Sequence, residues 1–529
     1  MTTDRQDKPF IERRKPLNED TLKSFTKVYF GLLKRNDFFE KASVKQVPLG
    51  TNFLEDYKKG IAAAKARMPK DYREAFFEPL NERYNLKKII LMMTTPGKMT
   101  TSDKPWLTEW PLRAILNCAT QPADDRRLGD DLRGLWAVAS DIYRSFIEKW
   151  KQIEYASVPK NTLPPLVAFT FYNLKFSDKV SMPAAPVTFD LGYMKRLSKL
   201  AEIPQPLKVG VVSLPSGFRK HPIFWGILSH EVGGHDVLNA ETTLLPQLRD
   251  QIRKKVRAKS EELLPNDGRA LEVIWDNWAE EAASDVCAVL NLGPFYGLGV
   301  LIYYTTMYHL WLYPKDHNEI NEGHHGPILE NKVVTIYDGK KKLWSDRTHP
   351  VPILIPHIIL GALDALTGLL AEPNQTRYRN QMQYLAKQCE GDKRTIDLSS
   401  LDIKDSDGKP IDLTKQLPLK AMQQIAYEVG KCIATAPLPA LGGKSLLALE
   451  KWDDADEKAS QLVAENLQKG QSVDGIKTED GQDIDNARLI AGAIFAVLRE
   501  PFEKYAHIND LLREALVHSY EKDPLVTAR

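Results

Sequence analysis

The sequence predicts an α+β protein, mainly helical, with a small sheet between helical N- and C-terminal regions. Three observations carry this. Apolar residues recur at a helical period through long segments at both ends of the chain. Between them lies a stretch of short β-branched and aromatic runs, bounded by Pro, Gly and Ser. The composition, 43% hydrophobic and 27% charged, is that of a globular protein. At about 150 residues per domain, 529 residues make roughly three or four units. The changes of texture divide the chain into a helical region 1–155, a core 156–371 and a helical region 372–529.

Residues 1 to about 45 read as a polar arm followed by an amphipathic helix, "LKSFTKVYFGLLKRNDFFEKA". From about 52 to 155 the pattern is mostly helical, most clearly in "DDLRGLWAVASDIYRSFIEKWKQIEY". "LPPLVAFTFYNL", "APVTFDLGY" and "PLKVGVVSLPS" read as strands. A helix follows from about His221 to Ala240, with Pro222 suited to its first turn. Gln247 to Leu264 is a charged helix, which Pro265-Asn266-Asp267-Gly268 breaks. The next helix carries "RALEVIWDNWAEEAASDVCAVL". "ENKVVTIYDGKKKLWSD" reads as a hairpin turning at Asp338-Gly339. An apolar helix lies at about 352–371, and C-terminal helical segments at about 376–390, 417–436, 444–468 and 484–521. The loops "DIKDSDGKPIDL" and "SVDGIKTEDGQDID" invite an EF-hand reading. Counting back from Gly408 puts Ile403 at the first ligand position, so Asp-Gly turns are the better account.

Lys+Arg 72 against Asp+Glu 70 leaves a formal charge of +2, which argues against a nucleic-acid binder driven by bulk charge. Cys118, Cys287, Cys389 and Cys432 form no CxxC and are far apart. Reduced thiols in a cytoplasmic protein fit them better than a disulfide framework or a cysteine-held zinc. The first twenty residues are charged throughout, so no signal peptide is expected. Val286 to Pro314 contains no Asp, Glu, Lys or Arg, and Val351 to Ala371 is also apolar. Gly, Pro and polar residues interrupt both runs. Core helices are therefore favoured over membrane spans.

The chemistry concentrates in "FWGILSHEVGGHDVLNA", Phe224 to Ala240. His230 and His235 are five apart, in the pattern H-E-x-x-x-H. On a regular helix, four residues advance by about 40° and keep two imidazoles on one face. Five advance by about 140° and part them. Gly233 and Gly234 lie inside the interval, where a π-bulge or a break would absorb the extra residue. About 45 residues downstream, "NWAEEAASDVCAVL" sets Glu280, Glu281 and Asp285 on a helix, with Glu281 and Asp285 sharing an apolar face. A carboxylate there is costly unless it is paired or metal-bound. The bland alternative leaves Glu280 and Glu281 facing solvent and Asp285 as a buried hydrogen-bonder. The pair His324-His325 reads as an ordinary loop.

"SHEVGGHDV" followed by "EEAASD" resembles the gluzincin, thermolysin-like class of zinc metallopeptidases, with the first motif one residue longer than that class uses. The resemblance covers about 60 residues around the two helices and implies a zincin-like catalytic core. It makes His230, His235 and Glu281 the ligands of Zn2+, with a fourth position open for water. Glu231 becomes the general base and Asp285 the partner of a ligand histidine. His349, in "SDRTHPVPILIP", is favoured as the oxyanion donor over Arg347, Tyr303, Tyr304 and His309. The strand in "KVGVVSLPS" is a candidate edge for aligning an extended peptide. The expected partner is a peptide or other small substrate, with no nucleic acid and no favoured membrane association. Other readings are a catalytically inactive binding or assembly protein, a non-peptidase metalloenzyme and a membrane metallopeptidase.

Overall fold

The computed structural model describes residues 126–160, 162–170, 209–312, 329–333, 335–338, 341–345, 347–404 and 407–523. It also describes 27–28, 31, 70–77, 174–175, 181–182 and 187–189. Of the amphipathic helix expected near 22–42, Lys27, Val28 and Gly31 are described and helical, with Val28 buried; the pair His324-His325 lies outside the described residues.

The described chain is mainly helical, with few and short strands. Helix α1 (Arg126–Lys151) buries Leu135, Ile142, Phe146 and Trp150 along one face. These positions follow the helical spacing of the sequence. Strands β1 (Leu166–Thr170), β2 (Leu174–Lys175), β3 (Ser181–Met182), β4 (Val187–Phe189) and β5 (Val211–Pro215) follow. β1, β5 and β4 form a three-stranded sheet in that order, with β1 parallel and β4 antiparallel to β5. β5 is thus the central strand. Its hydrogen-bonding groups are engaged on both sides, so it is not the free edge expected for a peptide.

The segment after β5 is not one regular helix from His221 to Ala240. It winds as 3-10 turns through Pro222–Ile227, becomes α-helical at Leu228–His230 and widens to a π turn at Glu231–Asp236. We label Leu228–Asp236 α2. Every residue of Pro222–Ile227 is buried, which puts both faces of this tighter winding against the core. α3 (Leu244–Leu263) and α4 (Gly268–Leu292) then pack on each other.

Gly293 takes φ 59° and ends α4, and α5 (Pro294–Leu312) starts at once. The first apolar run is therefore divided between two helices. The second is divided between a 3-10 turn at Pro352–Leu354 and α6 (Ile355–Ala365). Among the described residues, no helix is long and apolar enough to cross a membrane. β6 (Thr335–Asp338) and β7 (Lys341–Ser345) form the expected hairpin, with Asp338 opposite Lys341.

α7 (Glu372–Glu390), α8 (Leu419–Thr435), α9 (Asp454–Gln468), α10 (Asn486–Arg499) and α11 (Tyr505–Glu521) complete the fold. Between α7 and α8, β8 (Thr395–Asp397) pairs with β9 (Gln416–Pro418). Gly408, Gly475 and Gly481 take positive φ in Asp-Gly turns, as the polar loops require. Buried side chains from α1, α4, α6, α8 and α10 belong to one continuous apolar core, which holds α2 and α4 side by side.

Candidate metal centre

The π turn answers the spacing problem. Its i→i+5 bonding closes a turn in about five residues, so side chains five apart fall on one face. The rings of His230 and His235 stand 5.1 Å apart, centroid to centroid, inclined at 73°. Neither Gly233 nor Gly234 has positive φ. Their role is close approach. A Cβ on Gly234 would lie 2.3 Å from Ser284 Cβ and 2.5 Å from Ser284 Cα. On Gly233 it would meet Ile142 and Phe146 of α1 at 3.2 Å. α2 is thereby seated between α1 and α4, with its histidines against the carboxylates of α4.

His230 Nε2 is 3.2 Å and His235 Nε2 is 3.4 Å from Oε2 of Glu281. One ligand atom from each of the three residues lies within 4.8 Å of the others. A tetrahedral ion with bonds of 2.0–2.2 Å separates its donors by about 3.3–3.6 Å. The His235–Glu281 distance falls in that range and the His230–Glu281 distance just below it.

The outward nitrogens are also engaged. His230 Nδ1 is 2.9 Å from Asp285 Oδ1, and His235 Nδ1 is 3.0 Å from Glu280 Oε1. Tyr296, from the first turn of α5, donates its hydroxyl to Asp285 Oδ1 in a short hydrogen bond. Asn239 Nδ2 donates to Glu280 Oε1 at 3.1 Å and to the His235 carbonyl at 2.9 Å. Asp285 thus pairs with His230 across the contact of α2 with α4. Glu280, Tyr296 and Asn239 were not expected as members of the site. Adjacent carboxylates on a helix diverge by about 100°, which hides from the sequence that both Glu280 and Glu281 reach histidines. The available signal was the second imidazole, whose Nδ1 also needed an acceptor.

Glu231 is buried within the π turn, beside the phenol of Tyr303. Burial, then the Glu231 charge, pushes the Tyr303 phenol up. Burial also raises the Tyr296 phenol, with Asp285 adding to the rise. Both stay protonated and can only donate near these carboxylates. His349 arrives from the loop after β7, with Nε2 3.1 Å from Glu281 Oε2. Tyr304 packs edge-on against Tyr303. The side chain of His309 lies outside the described residues.

The charges explain the protonation of the cluster. Glu231, Glu280, Glu281 and Asp285 crowd one small volume, and isolated buried carboxylates are costly. Burial works to lower the His230 pKa, but hydrogen bonds to Asp285 and then Glu281 hold it up at about 9. Burial likewise opposes a charged His235, yet Glu281 and Glu280 raise it well above its ordinary value. Burial would raise Glu281, but His349 and then His235 draw it well below the usual carboxylate range. The cluster demands positive charge, which a divalent cation between His230, His235 and Glu281 would supply in place of protons. The donor set, two imidazoles and one carboxylate, suits zinc.

No protein-family model, curated protein or solved structure matches the chain.

Proposed function

We propose that this chain is a zinc-dependent metallohydrolase, acting as a peptidase within a zincin-like core. One observation supports this above the others. The π turn presents Nε2 of both histidines to one oxygen of Glu281 and gives each Nδ1 its own carboxylate. A ligand histidine is normally fixed by an outer acceptor in this way, and this site has two such pairs.

His230, His235 and Glu281 would hold the ion. When bound, zinc supplies a Lewis acid that polarises the scissile carbonyl and lowers the pKa of water. Asp285 and Glu280 accept the Nδ1 protons, select the tautomer and keep each Nε2 turned inward. Glu231, next to His230 in the turn, accepts the proton of the attacking water and passes it to the leaving amine. His349 is the proposed donor to the developing oxyanion. The buried phenols of Tyr296 and Tyr303 close the wall of the site and exclude bulk water. A confined site favours peptides or other small substrates over folded proteins. Unpaired, buried thiols at Cys287 and Cys389 fit a reducing, cytoplasmic location.

The test joins metal content to turnover. Elemental analysis should find about one zinc per chain, as one three-ligand site requires. A peptide library should be cut by the wild type. Glu231→Gln should lose at least about 100-fold in rate while keeping its zinc. Retained hydrolysis in that variant removes Glu231 as the base. Failure of the wild type to take up zinc removes the metallohydrolase reading.

A further inference from the structure

A cavity of about 260 Å³ has a lining that includes Ile274, Asn277, Trp278, Arg347, Asp402 and Lys404. Two chain paths tie it to Glu281. Asn277 precedes Glu281 by four residues on α4, so the two share a face about 6 Å apart along the axis. Arg347 precedes His349 by two residues, and His349 Nε2 is 3.1 Å from Glu281 Oε2. Two residues of chain span at most about 7 Å. The cavity lining and the proposed reacting centre therefore share two short chain segments, 277–281 and 347–349.

Its walls and its charge differ in character. Ile274 and Trp278 are buried and supply an apolar floor. Lys404 Nζ stands 3.5 Å from Asp402, so those two charges offset each other. Arg347 is exposed, and its guanidinium has no ion-pair or hydrogen-bond partner among the described residues. One unbalanced cation remains at the cavity. A guanidinium offers a planar fork of donors that fits a carboxylate through two parallel hydrogen bonds. Asn277, exposed on the same wall, adds an amide donor.

We infer that this cavity is a subsite for a carboxylate of the substrate, with Arg347 as its principal anchor. The inference rests on the peptidase reading of the metal centre and deepens it. The carboxylate is either the C-terminus of a short peptide or an acidic side chain. Both offer the same chemistry to Arg347.

Four acetylated tripeptides separate these sources: acetyl-Ala-Ala-Glu and acetyl-Ala-Ala-Gln, each as the free acid and as the C-terminal amide. Binding is read by calorimetry on zinc-loaded full-length Glu231→Gln, alone and with Arg347→Gln or Lys404→Gln added. Neutralising the recognised carboxylate should weaken binding at least about tenfold, the usual scale of one charged hydrogen bond. Loss on amidation identifies the C-terminus, and loss on Glu→Gln identifies the side chain. Arg347→Gln should abolish the discrimination, and Lys404→Gln should keep most of it. Equal binding of all four peptides, no binding of any, or discrimination that survives Arg347→Gln would overturn the inference. Wild-type hydrolysis of the same peptides separates the two readings. Peptides discriminated but never cut would leave the carboxylate subsite and remove the peptidase. Peptides cut with equal kcat/KM and bound alike would leave the peptidase and remove the subsite.

Discussion

Gly234 is the position where one added methyl group should do most damage. Its Cβ would sit 2.3 Å from Ser284 Cβ and 2.5 Å from Ser284 Cα. Carbon atoms in good contact lie about 3.5–4.0 Å apart, so α2 and α4 must separate by at least about 1 Å. The nearest atoms include backbone and a short side chain, which have no rotamer that escapes. Overpacking of this kind costs about 1–3 kcal/mol. The same displacement carries His230 and His235 away from Glu281, and metal sites tolerate only about 0.2 Å in ligand distance. We expect Gly234→Ala to weaken zinc binding by at least about 100-fold, since more than one ligand shift is involved. Gly233→Ala is the control. Its Cβ meets only the side chains of Ile142 and Phe146, at 3.2 Å. The clash is smaller, and the gain in helix propensity, about 1 kcal/mol, offsets part of it. Competition with a chromophoric chelator gives the affinity, and urea unfolding with chelator present gives the stability. If Gly234→Ala binds zinc like the wild type and unfolds at the same urea concentration, the close approach to Ser284 is not what builds the site.

Two further outcomes test parts of the account. Asp285→Asn should leave the fold intact but replace the charged acceptor of His230 Nδ1 with a neutral amide, lowering zinc affinity by about 10- to 100-fold in the same competition assay. Unchanged affinity would show that Asp285 does not orient the ligand. The third concerns pH. Burial first, and the neighbouring Asp485 charge second, push the Asp141 carboxyl up to about 7. The hydrogen bond from Asn486 N–H and the charges of Arg488 and Arg144 only partly oppose this. An acid whose folded pKa is raised keeps its proton where the unfolded chain has lost it. Asp141's own contribution to stability is therefore fullest below about pH 3.8 and is lost as pH rises toward 7. Asp141→Asn removes that loss, which is at most about 4 kcal/mol, or three units at about 1.36 each. Its advantage over the wild type in urea unfolding should grow between pH 5 and pH 8. A constant difference across that range would contradict the assignment.

Much of the site was legible in the sequence because its chemistry lies in short, well-spaced segments. The five-residue interval excluded a regular helix, and two glycines marked where the backbone would adjust. The π turn at Glu231–Asp236 meets that expectation. The reason for Gly234 was not legible, because it lies in Ser284, fifty residues away, and that for Gly233 lies in Ile142 and Phe146 of α1. Glu280 was hidden for a related reason: a helical wheel cannot show that α2 presents a second imidazole to it. The break at Gly293-Pro294 follows from local chemistry, whereas the segment expected at about 484–521 divides at Pro501, whose ring and missing N–H end a helix. The 3-10 winding of Pro222–Ile227 and the central position of β5 depend on neighbours that no local pattern names. Pairing by β4, three residues long, decided that β5 is not an edge.

The central claim is that one ion is shared by His230, His235 and Glu281. Anomalous scattering from zinc-loaded crystals, recorded on both sides of the zinc absorption edge, tests it directly. A single peak within bonding distance of Nε2 of both histidines and a carboxylate oxygen of Glu281 is the predicted result. A peak on only one of the histidines, or none between them at full zinc occupancy elsewhere, would contradict the account.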